Sequence, residues 1–294
     1  MQKRLIIDAD PAIGVPLRDI DDGLAMLLLL ASPEIILEGI TINFGNVKAP
    51  RGYQVASDVL RVARADVPVY LGAHTRRDLG KPNPAVDYLL KTVGSNPGEI
   101  SLLALAPLTN VATAMMLDPG FAANLKDLVI MGGSFNFGIF KYTGEFNFHL
   151  DARAASFVTS LPVPKTMITM DVCSQAVFKD CHLEKIRANP SPVSRYLAEN
   201  IAPWLNLNKK VFFRKKGFFP WDVVAAAYLV DESLFDRNFC RVRIQETGLR
   251  AGRIISRQQH TGAGQAIREA IMSVPSILDR SRFMEMFLSR LLSL

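Results

Sequence analysis

Residues 4–31 read RLIIDADPAIGVPLRDIDDGLAMLLLLA, and this stretch decides the fold. Arg4 to Asp8 is a short apolar run ending on a carboxylate, the pattern of a buried strand. Asp22 to Ala31 opens on acid and stays apolar for a helical length, so it predicts a helix. Strand then helix is the first half of a βαβ unit. The alternation continues outward. Glu34 to Asn43, Val67 to Leu71, Ile100 to Leu105, Leu128 to Met131 and Lys165 to Met170 read as further strands. Ala49 to Ala63, Val86 to Val93, Leu108 to Leu117 and Asp151 to Ser160 read as the helices between them. Continuously apolar strands separated by helices predict an α/β fold with an open, mostly parallel sheet covered on both faces.

The second half is less regular. Val193 to Asn206 and Asp222 to Val230 have helical patterns. Cys240 to Gln245 and Leu249 to Ser256 flank Thr247-Gly248 and predict a hairpin or two edge strands. Ile277 to Leu292 sets Phe283, Phe287 and Leu291 on one face of a terminal helix, a core-packing face. No repeat, low-complexity tract or linker interrupts the chain. One domain over residues 1–294, with a smaller C-terminal helical and hairpin elaboration, is the expectation.

Composition excludes several classes. Of 294 residues, 49% are apolar and 21% charged, which excludes bulk disorder. The longest apolar run, Leu24 to Ala31, is far shorter than the roughly 20 residues of a membrane span. An acidic residue follows the basic N-terminus too soon for a secretory signal, so a soluble cytoplasmic protein is expected. Cys173, Cys181 and Cys240 are too few and scattered for a disulfide framework. The net charge of +6 is spread out, apart from Arg214-Lys215-Lys216 and the stretch Arg241 to Arg257. No nucleic-acid-binding motif accompanies it, so neither nucleic acid nor membrane is an expected partner.

In open α/β sheets ligands bind outside the carboxyl ends of the strands, so the informative residues follow the strands. After the first come Asp8, Asp10, Asp21 and Asp22. Four carboxylates near one strand end repel each other unless a hard divalent cation joins them. Capping of the helix is the competing role for Asp21 or Asp22, and it leaves Asp10 unexplained. Gly45-Asn46 follows the second strand and Pro107-Leu108-Thr109-Asn110 the fourth. Met131-Gly132-Gly133 follows the fifth and leads to Glu145-Phe146-Asn147. Amides, a carboxylate and flexible backbone around one rim suit a polyhydroxylated ligand such as a sugar. Trp221-Asp222 opens an apolar helix, where the acid is either a cap or a ligand.

Taken in order, Asp8-Ala-Asp10-Pro11, Asp21-Asp22, Gly45-Asn46, Ala106-Pro107-Leu108-Thr109-Asn110, Met131-Gly132-Gly133, Glu145-Phe146-Asn147 and Trp221-Asp222 resemble the inosine-uridine-preferring nucleoside hydrolase family. Pro68 to Ala73 and the hairpin around Glu246 to Gly252 extend the resemblance, which covers nearly the whole chain. It implies a Rossmann-like sheet, a homodimer or homotetramer, and Ca²⁺-dependent hydrolysis of a nucleoside to ribose and base. It implies that Asp10, Asp22, Asp222 and the backbone carbonyl of Thr109 hold Ca²⁺. Asp10 would be the base that activates water. Asp21, Glu145 and Asn147 would bind the ribose, with Asn46, Met131 and Trp221 also in the substrate pocket.

The chain departs from the family pattern in four places. Ala12 to Ile20 are inserted between the Asp-Pro pair and the paired aspartates. Trp221 stands where many members have a histidine that can protonate the leaving base. Ile139 stands six residues before Glu145, where an asparagine is common, and the His-Gly loop after the third strand is absent from Arg76 to Asp87. In purine-preferring members a tryptophan at the Trp221 position stacks on the base, which implies a purine bias. His149 as a leaving-group acid is the weaker alternative, and Phe135 and Phe137 either line the base pocket or pack the loop. Two rival functions remain open on sequence: a Rossmann-like phosphohydrolase, and a relative that binds metal or riboside without turnover.

Overall fold

The computed structural model describes residues 2–210, 217–260 and 271–294, with only the backbone of Lys141 and residues 256–260. The basic run Arg214-Lys215-Lys216 lies outside the described residues. Among the described residues nine strands form one sheet: β1 (Lys3–Ala9), β2 (Ile35–Ile42), β3 (Val69–Leu71), β4 (Ile100–Ala104), β5 (Asp127–Met131), β6 (Lys165–Ile168), β7 (Phe239–Ile244), β8 (Ile254–His260) and β9 (Met272–Ser273). Their order is β3-β2-β1-β4-β5-β6-β9-β7-β8. The pairings from β3 through β6 to β9 are parallel, and β7 is antiparallel to both β8 and β9. The α/β, mostly parallel architecture therefore stands, with the expected hairpin at one edge.

The apolar run of β1 follows from its place. It is flanked by β2 and β4, and Leu5, Ile6 and Ile7 are fully buried. Successive side chains alternate between the two faces, and each face has its own core. Leu5 and Ile7 join Leu24, Val55, Trp204, Val223 and Phe283. Ile6 joins Val86, Val111, Val158 and Ile244 on the other side. The chain winds from β1 to β2 and β3 on one side, and through β4, β5 and β6 on the other. The order reverses between β1 and β4, and at such a switch point the carboxyl ends of the two strands open a crevice.

Element boundaries shift where tertiary contacts override local pattern. The Pro192–Lys210 helix runs past Asn206 and contains Pro203. The terminal helix starts at Arg280, because Asp279 caps it by accepting from the Arg282 amide. Thr247 to Gly252 belong to the hairpin turn, so β8 begins at Ile254 rather than Leu249. Cys173, Cys181 and Cys240 are free thiols, as their scatter implies. Among the described residues no helix is long and apolar enough to cross a membrane.

Candidate active site

A cavity of about 510 Å³ opens at the switch point. Asp10 and Asn46 reach it from the ends of β1 and β2, and Leu105 from the end of β4. Met131 comes from the end of β5, and Asp21 and Asp22 from the start of the Asp21–Leu30 helix. Glu145 and Asn147 come from the Phe146–Leu150 helix start, and Trp221 and Asp222 from the start of the Trp221–Val230 helix.

Asp8 is not part of the cavity wall. It is fully buried and accepts from Thr41 Oγ1 at 2.7 Å, Asn110 Nδ2 at 2.8 Å and Asn43 Nδ2 at 3.3 Å. Burial pushes its carboxyl up to about 6 despite those three donors. Asn110 Oδ1 accepts from the Ala73 amide, so one side chain ties the ends of β1, β2 and β3. Asp19, from the inserted segment, instead lines the cavity beside Asp10, Asp21 and Asp22. It escapes a sequence reading because the insertion looks like a spacer.

The cavity aspartates are interlocked. Oxygens of Asp21, Asp22 and Asp222 lie within 4.8 Å of one another. The Asp222 amide donates to Asp21 Oδ2 at 3.1 Å, and the Asp10 amide donates to Asp22 Oδ1 at 3.1 Å. Neither helix is capped by its own aspartates: Ile20 and Pro220 hold the cap positions without a side-chain bond. Capping therefore does not account for Asp22 or Asp222, and Asp21 serves the first turn of the Trp221–Val230 helix rather than its own cap position. Burial raises every one of these carboxyls, because no bulk water solvates the charge. Asp10 is pushed up to about 8 by burial, further raised by the charges of Asp21 and Asp8 and opposed by the Asn46 amide. Burial and then the neighbouring aspartates hold Asp22 and Asp222 well above the carboxylate range. Donors that are all oxygen, buried and mutually repelling suit a hard divalent cation and not a soft one.

Similarity to known proteins gives the family. Residues 5–285 match the family described as inosine-uridine preferring nucleoside hydrolase. The chain belongs to that family. The enzymes of this family cleave ribonucleosides. A pyrimidine-specific ribonucleoside hydrolase of Shewanella sp. (strain MR-7) is 28% identical over 290 residues, covering 89% of each chain. A probable uridine nucleosidase of Arabidopsis thaliana is 28% identical over 282 residues, covering 85% of this chain and 84% of the relative. A solved plant nucleoside hydrolase superposes with a TM-score of 0.86 at 26% identity, covering 100% of both chains.

The position expected of Thr109 in this nucleoside hydrolase needs correction. Thr109 does not line the cavity: its hydroxyl donates to Asp151 Oδ2 at 2.6 Å, and its carbonyl accepts the Thr113 hydroxyl at 2.7 Å. That carbonyl lies along its own helix. The backbone at the rim is Leu105, whose carbonyl accepts from Asn147 Nδ2 at 2.7 Å. An apolar residue offers only its main chain there, so side-chain chemistry gives no signal for it.

Glu145 does two things at once in the nucleoside hydrolase. Its carboxylate caps the Phe146–Leu150 helix by accepting from the Asn147 and Phe148 amides, also accepts from the Gly133 amide, and still borders the cavity. Asn147 Nδ2 also approaches the Met131 sulfur at 3.9 Å. Trp221 meets Phe137 edge-on at 5.3 Å and Phe219 at 4.8 Å, so Phe137 braces the wall. Phe135 packs on the other core. His149 Nδ1 lies 2.8 Å from the Ala251 carbonyl, outside the cavity lining. Ile139 is 65% exposed and does not line the cavity either. Residues 76–87 do not reach the cavity, whose rim instead includes Leu17 and Arg18 of the insertion.

Asn46 joins the insertion to the site. It exchanges hydrogen bonds with the Asp19 backbone, and its amide donates to Asp10 Oδ2 at 2.5 Å. Gly45 lies so close that a Cβ there would sit 1.9 Å from Asp10 Oδ2. Gly45→Ala is therefore expected to displace the Asp10 carboxylate. Activity should fall at least as far as in Asp10→Asn, and kinetics of the two purified variants compare them.

Proposed function

We propose that this nucleoside hydrolase uses Ca²⁺ held by Asp10, Asp22, Asp222 and the Leu105 carbonyl, with Asp10 as the base and a preference for purine ribosides. The interlocked carboxylates at the switch point carry this reading. When bound, the cation would neutralise the carboxylates, orient the attacking water and lower its pKa. Asp10 has one oxygen fixed by the Asn46 amide, which leaves the other to accept the water proton. Asp21, Asn46, Glu145 and Asn147 hold the ribose hydroxyls. Breaking the N-glycosidic bond builds positive charge on the sugar, as in O-glycoside cleavage, and the fixed carboxylates face that charge. We further propose a single domain that works as a homodimer or homotetramer.

The relatives' names divide between pyrimidine and purine preference: one solved structure of the same fold is a purine-preferring ribonucleoside hydrolase from Gardnerella vaginalis, 23% identical with a TM-score of 0.84. The choice of base here rests on Trp221, whose ring forms part of the cavity wall. Stacking contributes about 1 kcal/mol, so Trp221→Ala should cost purines about fivefold more than pyrimidines. The test is ribose release from inosine, adenosine, guanosine, uridine and cytidine, with Ca²⁺ and with chelator. Equal losses across the panel would remove the stacking role. No release from any of the five with Ca²⁺ present would remove the reading as a whole.

A further inference from the structure

The base that leaves in N-glycosidic cleavage takes the bonding pair with it and becomes negatively charged. Something must stabilise that charge. Among the described residues lining the cavity there is no histidine, lysine, tyrosine or cysteine. Six of them carry carboxylates, which oppose an anion. The cation is Arg18, from the inserted segment. Among the described residues its guanidinium makes no hydrogen bond and no ion pair.

The backbone around Arg18 is fixed. Its amide donates to the Val15 carbonyl, and the next residue, Asp19, is clasped by Asn46. The preceding Leu17 has φ +62°, a left-handed conformation that a leucine adopts only when the surroundings impose it. Leu17, Arg18 and Trp204 also line a neighbouring groove of about 410 Å³ along the Pro192–Lys210 helix. Arg18 thus stands where the carboxylate-lined sugar cavity opens outward, beside whatever projects beyond the ribose.

We infer that Arg18 is a further catalytic residue, donating hydrogen bonds to the departing base; this rests on the hydrolase reading above. The C1′–N bond breaks and its electron pair stays on the base nitrogen. The water oxygen bonds C1′ and its proton passes to Asp10. The guanidinium stabilises the base anion without giving up a proton, since arginine stays charged. The anion takes its proton from solvent, and Asp10 returns one to solvent. A donor that meets charge appearing only during reaction acts on kcat.

The test compares two ribosides of different leaving-group demand. Inosine needs its base stabilised; p-nitrophenyl β-D-ribofuranoside expels a stable phenolate unaided. Arg18→Ala should lower kcat on inosine by about 100-fold, the cost of one lost donor, and leave p-nitrophenyl riboside nearly unchanged. Arg18→Lys should recover part of the loss. Equal loss on both substrates, or no loss on inosine, overturns the inference. So does a loss confined to KM for inosine 5′-monophosphate, which would assign the guanidinium to phosphate. Melting curves with Ca²⁺ separate misfolding from a chemical effect. Failure of the wild type on both ribosides would count against the hydrolase reading itself.

Discussion

Asp10→Asn is expected to lower kcat for ribose release by about 10³-fold, within the range of a lost general base. The substitution keeps the shape of the side chain. The amide oxygen can still accept from Asn46, so the β1 end and the insertion stay tied together. What is lost is the oxygen that takes a proton. A second signature sets this apart from unfolding. The Asp10 carboxyl is raised to about 8 by burial, so in the absence of cation its ionisation costs stability. Asn removes that cost. With chelator at pH 8, Asp10→Asn should therefore melt above the wild type while remaining nearly inactive. A variant that melts lower and loses activity in proportion to its unfolded fraction would deny Asp10 the base role.

Removing the cation should destabilise the protein strongly, and more at high pH than at low. Below about pH 4 the cluster is protonated in both folded and unfolded chains, given an ordinary aspartate value of 3.8. As the pH rises from there to about 8, the unfolded chain releases its protons while buried Asp10 keeps its own. The folded state then binds more protons, so stability falls across that window. Asp22 and Asp222, also raised by burial and by their neighbours, add to the same trend. Cation binding has the opposite dependence, because it needs the ionised carboxylates. A thousandfold excess over Kd contributes about 4 kcal/mol, or roughly 10 °C for a chain of this size. Thermal melts with Ca²⁺ or chelator should show that gap at pH 8 and only a small one at pH 5. A gap independent of pH would mean that these aspartates do not hold the ion.

The fold was legible because its strands are buried on both sides. A strand like β1 must be apolar throughout, and the switch from strand to helix period shows in the sequence. β9 and the one-turn helix Phe121–Asn124 were not legible, since two to four residues carry no period and depend on their neighbours. Within the site, Asp10, Asp21, Asp22, Glu145, Asn147 and Asp222 stood out because carboxylates and amides at strand and helix ends have few other reasons to be there. Asp8 stood out for the same reason and turned out to hold strand ends together. Leu105 was hidden, because a main-chain carbonyl has no sequence signature. The carbonyl of Thr109 was expected at the ion only because the family resemblance implied it, yet that carbonyl serves its own helix and the hydroxyl serves Asp151. Asp19 and Arg18 were hidden by the insertion, whose path only the folded chain reveals.

The bond from the Asp222 amide to Asp21 Oδ2 joins residues 201 positions apart. On a ribosome this distance becomes time. A growing chain exposes Asp10, Asp21 and Asp22 early and carries them without their last companion until most of the protein has been translated. Such a chain lacks the full set of acids that a cation would bridge. If these acids hold an ion as proposed, a complete set to bind it would form only with the arrival of the Trp221–Val230 helix.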